Sequence, residues 1–463
     1  MKKICALLLS CLLLLSACSL QPGSSEAGTQ TPVQTDAPGT GSNESVTEPS
    51  VAPEPVRKEL IVWTFGTEEE LTKSLCARFM MDNPAIAETY SITVKPVNAE
   101  DLITRVREAT DTSYAEGVLP DVEAMPDLFF FYSDDYEMLR KINLLGAVPE
   151  EMAAKLEKTV DAAALAAASD EAGLYAYPAA LENTMLLYYD KSVISEIKNL
   201  ASVIRQCEEN DRCFYMGTET TMFPALLFLS CGLTYDADIL PDGTIASVSC
   251  DYYTEAGLHA AKLMQSLMSM KAFRGIEGSP VLSFAYDQEK AGAIIADSCQ
   301  TQDLKVMLQD NYGVAALPTI LDGKEERAAL TRGTYTMIGV SPKKDEASLA
   351  VCHKLAEFLT SDEGQLDRYN TAGTLPVSTS VLAGKEIRKD ETASALMAQM
   401  PNVIRKVKTS EGYVEAMNRF TSQLIKGGSE IKTARLQQLL DELSAYLMAD
   451  GAVKVPASPS TNN

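Results

Sequence analysis

Histidine is nearly missing from this sequence: only His259 and His353 occur among 463 residues, both inside helix-like runs. That leaves little from which to build a Ser-His relay or a zinc site. No Gly-x-Ser-x-Gly elbow, phosphate-cradling loop or Cys-x-x-Cys pair occurs either, so the common hydrolase, nucleotide and dithiol motifs are absent. Basic residues are short, with 40 Lys and Arg against 64 Asp and Glu and a formal charge of −24. Such an acidic chain disfavours nucleic acid and anionic lipid surfaces as partners. Tryptophan occurs once, as Trp63 within an apolar run, where burial is the expectation.

What is present begins with a leader. Lys2 and Lys3 precede an apolar run from Ile4 to Leu15, too short for an ordinary membrane-spanning helix and suited to secretion. Residues 1–17 are therefore expected to be a signal peptide. Its end, Leu15-Ser16-Ala17-Cys18, resembles the bacterial lipoprotein cleavage box, which implies acylation of Cys18 and a membrane held through its lipid. Removing the leader deletes two lysines and no acids, taking the formal charge to −26. Residues 18–58 are rich in Gly, Ser, Thr, Pro, Gln and Glu and read as a disordered tether, with a root-mean-square reach of roughly 35 Å. Residues 451–463 read as a disordered tail. Beyond Cys18 seven cysteines remain, an odd number, so at least one is free or pairs between molecules. Cys207 with Cys213 and Cys231 with Cys250 are candidate bridges, and reduced core thiols are the alternative.

From Leu60 onward strands and helices alternate. Leu60 to Gly66 reads as a first strand, and Thr67 followed by Glu68, Glu69 and Glu70 starts a helix with acids in its first turn. Ser91 to Val97 and Pro126 to Phe131 read as further strands, with a helix around Leu102, Ile103 and Val106 between them. Such alternation predicts an open α/β sheet, whose ligands bind beyond the carboxyl ends of strands. A helical connection is expected over Ser192 to Asn210, and a helix with a Met-bearing core stripe over Asp251 to Met270.

The most informative stretch is Gly173-Leu174-Tyr175-Ala176-Tyr177-Pro178-Ala179-Ala180-Leu181-Glu182-Asn183-Thr184, continuing through Met185 to Lys191. Two extended segments flank a polar Glu-Asn-Thr step, which by itself also suits a surface turn. The run resembles the first interlobe crossover of the extracellular solute-binding proteins that serve ABC importers, in particular the maltose/maltodextrin-binding branch. Leu174, Pro178, Glu182, Tyr188, Tyr189, Asp190 and Lys191 fall on that pattern, with Gly173 one position late. Tyr312 to Pro318 resembles the second crossover, and Thr360 to Leu366 the third. Phe284 to Asp297, and Pro126 to Phe130 followed by Leu144-Leu145, also resemble the family. The likeness runs in order from about Leu60 to Leu447.

This resemblance implies an α/β fold of two lobes with three interlobe crossovers. Lobe one is expected over 59–181 and 318–359, and lobe two over 182–317 and 360–450. It implies a ligand-facing Glu182, and it places Phe131, Asp134 and Asp135 where the branch carries a stacking Trp and an Asp-Arg pair. Asp297 stands at the end of a strand that in the branch closes on a Trp, and Tyr413 near another aromatic contact. These replacements point away from maltodextrin itself. Glu68 completes the candidates as an acid at a strand end facing the cleft. Carbohydrate is the expected ligand class, with ABC permease subunits as partners, a monomeric state, and no cofactor or metal. A cationic or peptide-like solute, or a surface lipoprotein for sensing or scaffolding, are the alternatives. Asp134 and Glu182 could in principle form a glycosidase pair, but a binding pair is preferred and no enzyme is expected.

Overall fold

Six consecutive apolar or uncharged residues, Leu60 to Phe65, are buried, so the first strand runs through the interior of a sheet. The computed structural model describes residues 57–99, 101, 102, 104, 105, 126–217, 222–240, 244–276, 279–342, 345–410 and 412–450. The expected leader, Cys18, nearly all of the tether, Ile103, Val106, Thr218 to Thr221 and the tail lie outside these residues.

Two large mixed sheets organise the unit Pro55–Asn463. Along the chain their first six strands are β1 (Lys58–Phe65), β2 (Tyr90–Val97), β3 (Leu128–Tyr132), β4 (Tyr177–Asn183), β5 (Met185–Asp190) and β6 (Cys213–Gly217). The remainder are β7 (Phe273–Ile276), β8 (Ala291–Asp297), β9 (Tyr312–Ala315), β10 (Thr331–Val340), β11 (Leu375–Pro376) and β12 (Val403–Arg405). The first sheet runs β11-β4-β10-β3-β1-β2, with β12 also paired to β10, and the second runs β7-β6-β8-β5-β9. β1 is parallel to β2 and β3, while β10 is antiparallel to β3 and β4. β8 is likewise parallel to β6 and antiparallel to β5.

β4 ends at Asn183 and β5 begins at Met185, so Thr184 alone carries the chain from one sheet to the other. Strand alternation then divides β5 between two cores. Leu186 and Tyr188 pack in the core shared with the first sheet, and Met185 and Leu187 pack in the other. A second passage runs from β9 to β10 through residues 316–330. Leu317, Ile320 and Ala329 pack with the second core on the way. The third passage follows β12 on the first sheet and leads to the helix Tyr413–Gly427, whose Met417, Phe420 and Leu424 lie in the second core.

These passages move the expected boundaries. Thr360 to Leu366 is not the third crossing: it starts the helix Asp362–Ala372, capped by Ser361. The Gln365 side-chain oxygen accepts from the backbone of Val377 and Ser378 at 2.7 and 2.9 Å, and Leu375-Pro376 pair with β4. That ties much of 360–405 to the first sheet. Residues 316–330, expected largely in lobe one, lean on the second core. The connection after β5 is also shorter in helix than expected. Asp190 caps a turn by accepting from Ser192 N at 2.7 Å, and a capping box of Asn199 and Ser202 starts the helix only at Leu200.

All seven described cysteines are free, so neither candidate bridge forms. Burial pushes the Cys76 and Cys207 thiols up to about 12, which makes them inert core residues. Trp63 is buried as expected.

Glu68, at the end of β1, is 5% exposed and accepts from Arg368 Nε of helix Asp362–Ala372 at 2.9 Å. Arg368 is wholly buried, and its Nη1 and Nη2 have no hydrogen-bond partner among the described residues. Among the described residues Glu68 is thus the ion-pair partner of a buried guanidinium that also attracts Glu182, and a tie between distant segments. Replacing Glu68 with Gln should lower stability by about 3–5 kcal/mol, because the cation stays buried without its charge partner. Urea denaturation measures this, and a loss under about 1 kcal/mol would contradict the pairing.

Candidate binding cleft

The ends of β4 and β8 and the start of β10 meet around Thr184. Thr184 N donates to Ser298 Oγ at 3.2 Å, its carbonyl accepts from Ser298 N at 2.8 Å, and its Oγ1 donates to Arg332 O at 3.4 Å. Successive residues of this knot line two different cavities. Asn183, Met185 and Asp297 line one of about 270 Å³, together with Tyr235, Arg332, Thr334, Lys406 and Tyr413. Leu181, Glu182, Ser298 and Cys299 line another of about 500 Å³, with Lys305 and Tyr369.

The first cavity has the composition of a polar-ligand site. Tyr413, at the first residue of its helix, is nine-tenths or more buried and stands edge-on to Tyr235 with ring centroids 4.6 Å apart. Burial pushes its phenol up to about 12. Asp297 caps the short turn Ser298–Gln300, accepting from Cys299 N at 3.3 Å. Burial raises its pKa, and backbone hydrogen bonds and Lys406 oppose that rise. Asn183 contributes a buried side-chain oxygen with no hydrogen-bond partner among the described residues. A buried acceptor without a donor costs free energy unless a ligand or water supplies one.

Asp134 reaches the same cavity through its partners. It accepts from Thr334 Oγ1 at 3.0 Å and pairs with Lys406 Nζ at 3.1 Å, both of which line the wall. Asp135, beside it, is held up at about 6 by burial first and the Asp134 charge second, with Lys408 and Lys406 pulling the other way. Glu182 faces the other cavity. Its Oε2 accepts from Thr336 Oγ1 at 3.0 Å, and burial, then Glu68, raise its pKa against the pull of that bond and of Arg368.

Two sequence candidates fall elsewhere. Phe131 is fully buried 5.8 Å from the Phe129 ring and belongs to the core. Strand alternation gives Tyr132 the half-buried position at the end of β3, against Phe65 at 4.6 Å. Glu68 is occupied by Arg368. Of the acids, Asp297 lines one cavity, Asp134 stands behind its Thr334 and Lys406 wall, and Glu182 lines the neighbouring cavity.

Asn183, Tyr235, Arg332, Thr334 and Lys406 were not foreseen. The run Arg405-Lys406-Val407-Lys408, basic within a chain short of cations, was the one visible signal. Among the described residues no three His, Cys, Asp or Glu side chains are grouped to hold a metal ion.

Asp135 gives a pH test. Its folded-state pKa lies above the ordinary value near 3.9, so the folded form holds the proton more tightly. Stability should therefore fall as pH rises from about 4 to 6, by on the order of 2–3 kcal/mol, and stay low above that window. Asp135→Asn should be more stable than the parent at pH 8 and equal to it near pH 3.5 in urea denaturation. A pH-independent difference would contradict the assignment.

The family described as bacterial extracellular solute-binding protein matches residues 75–395. A maltooligosaccharide ABC transporter solute-binding lipoprotein of Streptococcus pneumoniae (strain ATCC BAA-255 / R6) is 23% identical over 344 residues, covering 69% of this chain and 74% of that protein. The ligand-free maltodextrin-binding protein MalE1 from L. casei BL23 superposes with a TM-score of 0.64 at 18% identity, over 86% of this chain and 100% of that one. A cyclo/maltodextrin-binding protein complexed with maltotetraose gives 0.67 at 16% identity, over 87% and 100%. These structures share the two-lobed α/β fold. With more than half its length matched, the chain belongs to the bacterial extracellular solute-binding proteins.

Proposed function

We propose that this protein is an extracytoplasmic receptor that captures a carbohydrate between two lobes and delivers it to an ABC importer. The observation that carries the reading is the cavity beside Thr184. It combines two tyrosine rings, the Asp297 carboxylate and the unpartnered Asn183 oxygen. Saccharides present apolar ring faces and many hydroxyl donors, which such a set can satisfy. The relatives' names, a maltooligosaccharide lipoprotein and maltodextrin-binding proteins, support the same class.

The moving bodies are taken as 59–181 with 331–359 and 185–317 with 412–450, with 360–405 packed at the joint. Closure would bring the wall of the second lobe, Asp297, Tyr235 and Tyr413, toward Asp134 and Asp135 of the first. Acylated Cys18 would hold the receptor at the membrane, residues 18–58 would give it reach, and the permease would read the closed form. Binding without catalysis is the role proposed.

A thermal-shift screen with neutral and charged oligosaccharides, amino acids, peptides and polyamines tests this. A saccharide at a hundred times its Kd should add about 2.7 kcal/mol. Asp297→Ala should abolish that shift while leaving the unliganded melting temperature within a few degrees. Shifts only with polyamines or peptides would replace the carbohydrate with a cationic or peptide-like solute. Silence across the panel would favour sensing or scaffolding.

A further inference from the structure

We infer that the ligand is an acidic saccharide, an oligouronide, whose carboxylate pairs with Arg332. The inference rests on the saccharide reading of the cleft and adds the charge that this reading leaves open.

Arg332 is the second residue of β10 and lines the 270 Å³ cavity. Its Nη1 donates to the Arg405 carbonyl oxygen at 2.7 Å, which satisfies one of five donors. Among the described residues no carboxylate forms an ion pair with it. The charged and titratable groups around it are Tyr252, Tyr413, Asp236 and a second cation, Arg405. Neighbouring cations are already served. Lys406 pairs with Asp134 at 3.1 Å, and the Arg405 guanidinium stands 4.7 Å over the Tyr136 ring and donates to Ala167 O at 3.3 Å. Arg332 is therefore a partly desolvated guanidinium beside a like charge, with donors left over at a cavity wall. Burial lowers its pKa accordingly.

Asp236 attracts Arg332 without forming an ion pair among the described residues, and a bound carboxylate in direct contact would offset more of the cost of taking the guanidinium out of water. The planar fork of arginine matches a carboxylate bidentately. Asn183 Oδ1 and Asp297 supply acceptors for hydroxyls, and Tyr235 and Tyr413 add aromatic side chains to the same wall. A neutral glucan would use the acceptors and leave Arg332 without an ion pair. A sugar bearing a carboxylate uses all of them.

Calorimetry on the purified full chain with trigalacturonate and maltotriose decides the matter. The parent should bind trigalacturonate at least tenfold more tightly. Arg332→Gln should weaken trigalacturonate on the order of thirtyfold and maltotriose less than threefold, with folding checked by the melting temperature. Should that variant fail to fold, Arg332→Lys keeps the charge without the fork and should still weaken trigalacturonate selectively. Raising salt should weaken trigalacturonate alone. Equal or tighter binding of maltotriose, or unchanged trigalacturonate binding in folded Arg332→Gln, overturns the acidic ligand and keeps the saccharide receptor. Binding of glucose 6-phosphate or an amino acid with neither trisaccharide overturns both.

Discussion

The backbone at Thr184 constrains everything around it. One residue separates a strand of the first sheet from a strand of the second, and it is buried. Its amide and carbonyl are both taken by Ser298, at the end of β8, and its hydroxyl by Arg332, near the start of β10. Three chain segments therefore come together within hydrogen-bonding distance, where strands of both sheets begin or end. Gly333 shows how tight the joint is. A Cβ at that position would stand 2.3 Å from Val403 Cγ1 and 3.1 Å from Asn183 O, so β12 and β4 approach as closely as they do because no side chain intervenes.

That convergence sets the chemistry of the cleft. Consecutive residues on each strand point to opposite faces, so Glu182 and Asn183 serve different cavities although they are neighbours in sequence. The acids at the strand ends do not stand alone. Asp134 is paired with Lys406, Glu68 with Arg368, and burial raises the Asp135 pKa to about 6. An acidic protein thus has a cleft in which Asp134 and Glu68 are paired with cations, while among the described residues Arg332 forms no ion pair and feels the Asp236 charge without direct contact.

Much of the architecture was legible because apolar runs of β1, β3, β5 and β8 are long and bounded by polar steps. The first crossover could be read from the Glu-Asn-Thr interruption between two such runs. Phe131 could not be placed correctly, since both faces of β3 are covered and four apolar residues in succession carry no alternation. The third passage was misplaced for a different reason. Ser361 to Gln365 caps a helix locally, but which lobe holds that helix depends on Gln365 meeting Val377 and Ser378, and on Arg368 meeting Glu68 300 residues away. Arg332 and Asn183 gave no signal, because what singles them out is the cavity they line and the polar atoms that stay unpaired among the described residues.

The central claim is that the two sheets are lobes that close on a ligand at the Thr184 joint. The most direct measurement is the distance between spin labels at positions 141 and 238, where the structure pairs Lys141 with Asp238 across the cleft. The account predicts a distribution that broadens or shifts to longer distance without saccharide and collapses to one short distance when saccharide saturates the cleft. A distribution identical with and without bound saccharide would contradict it.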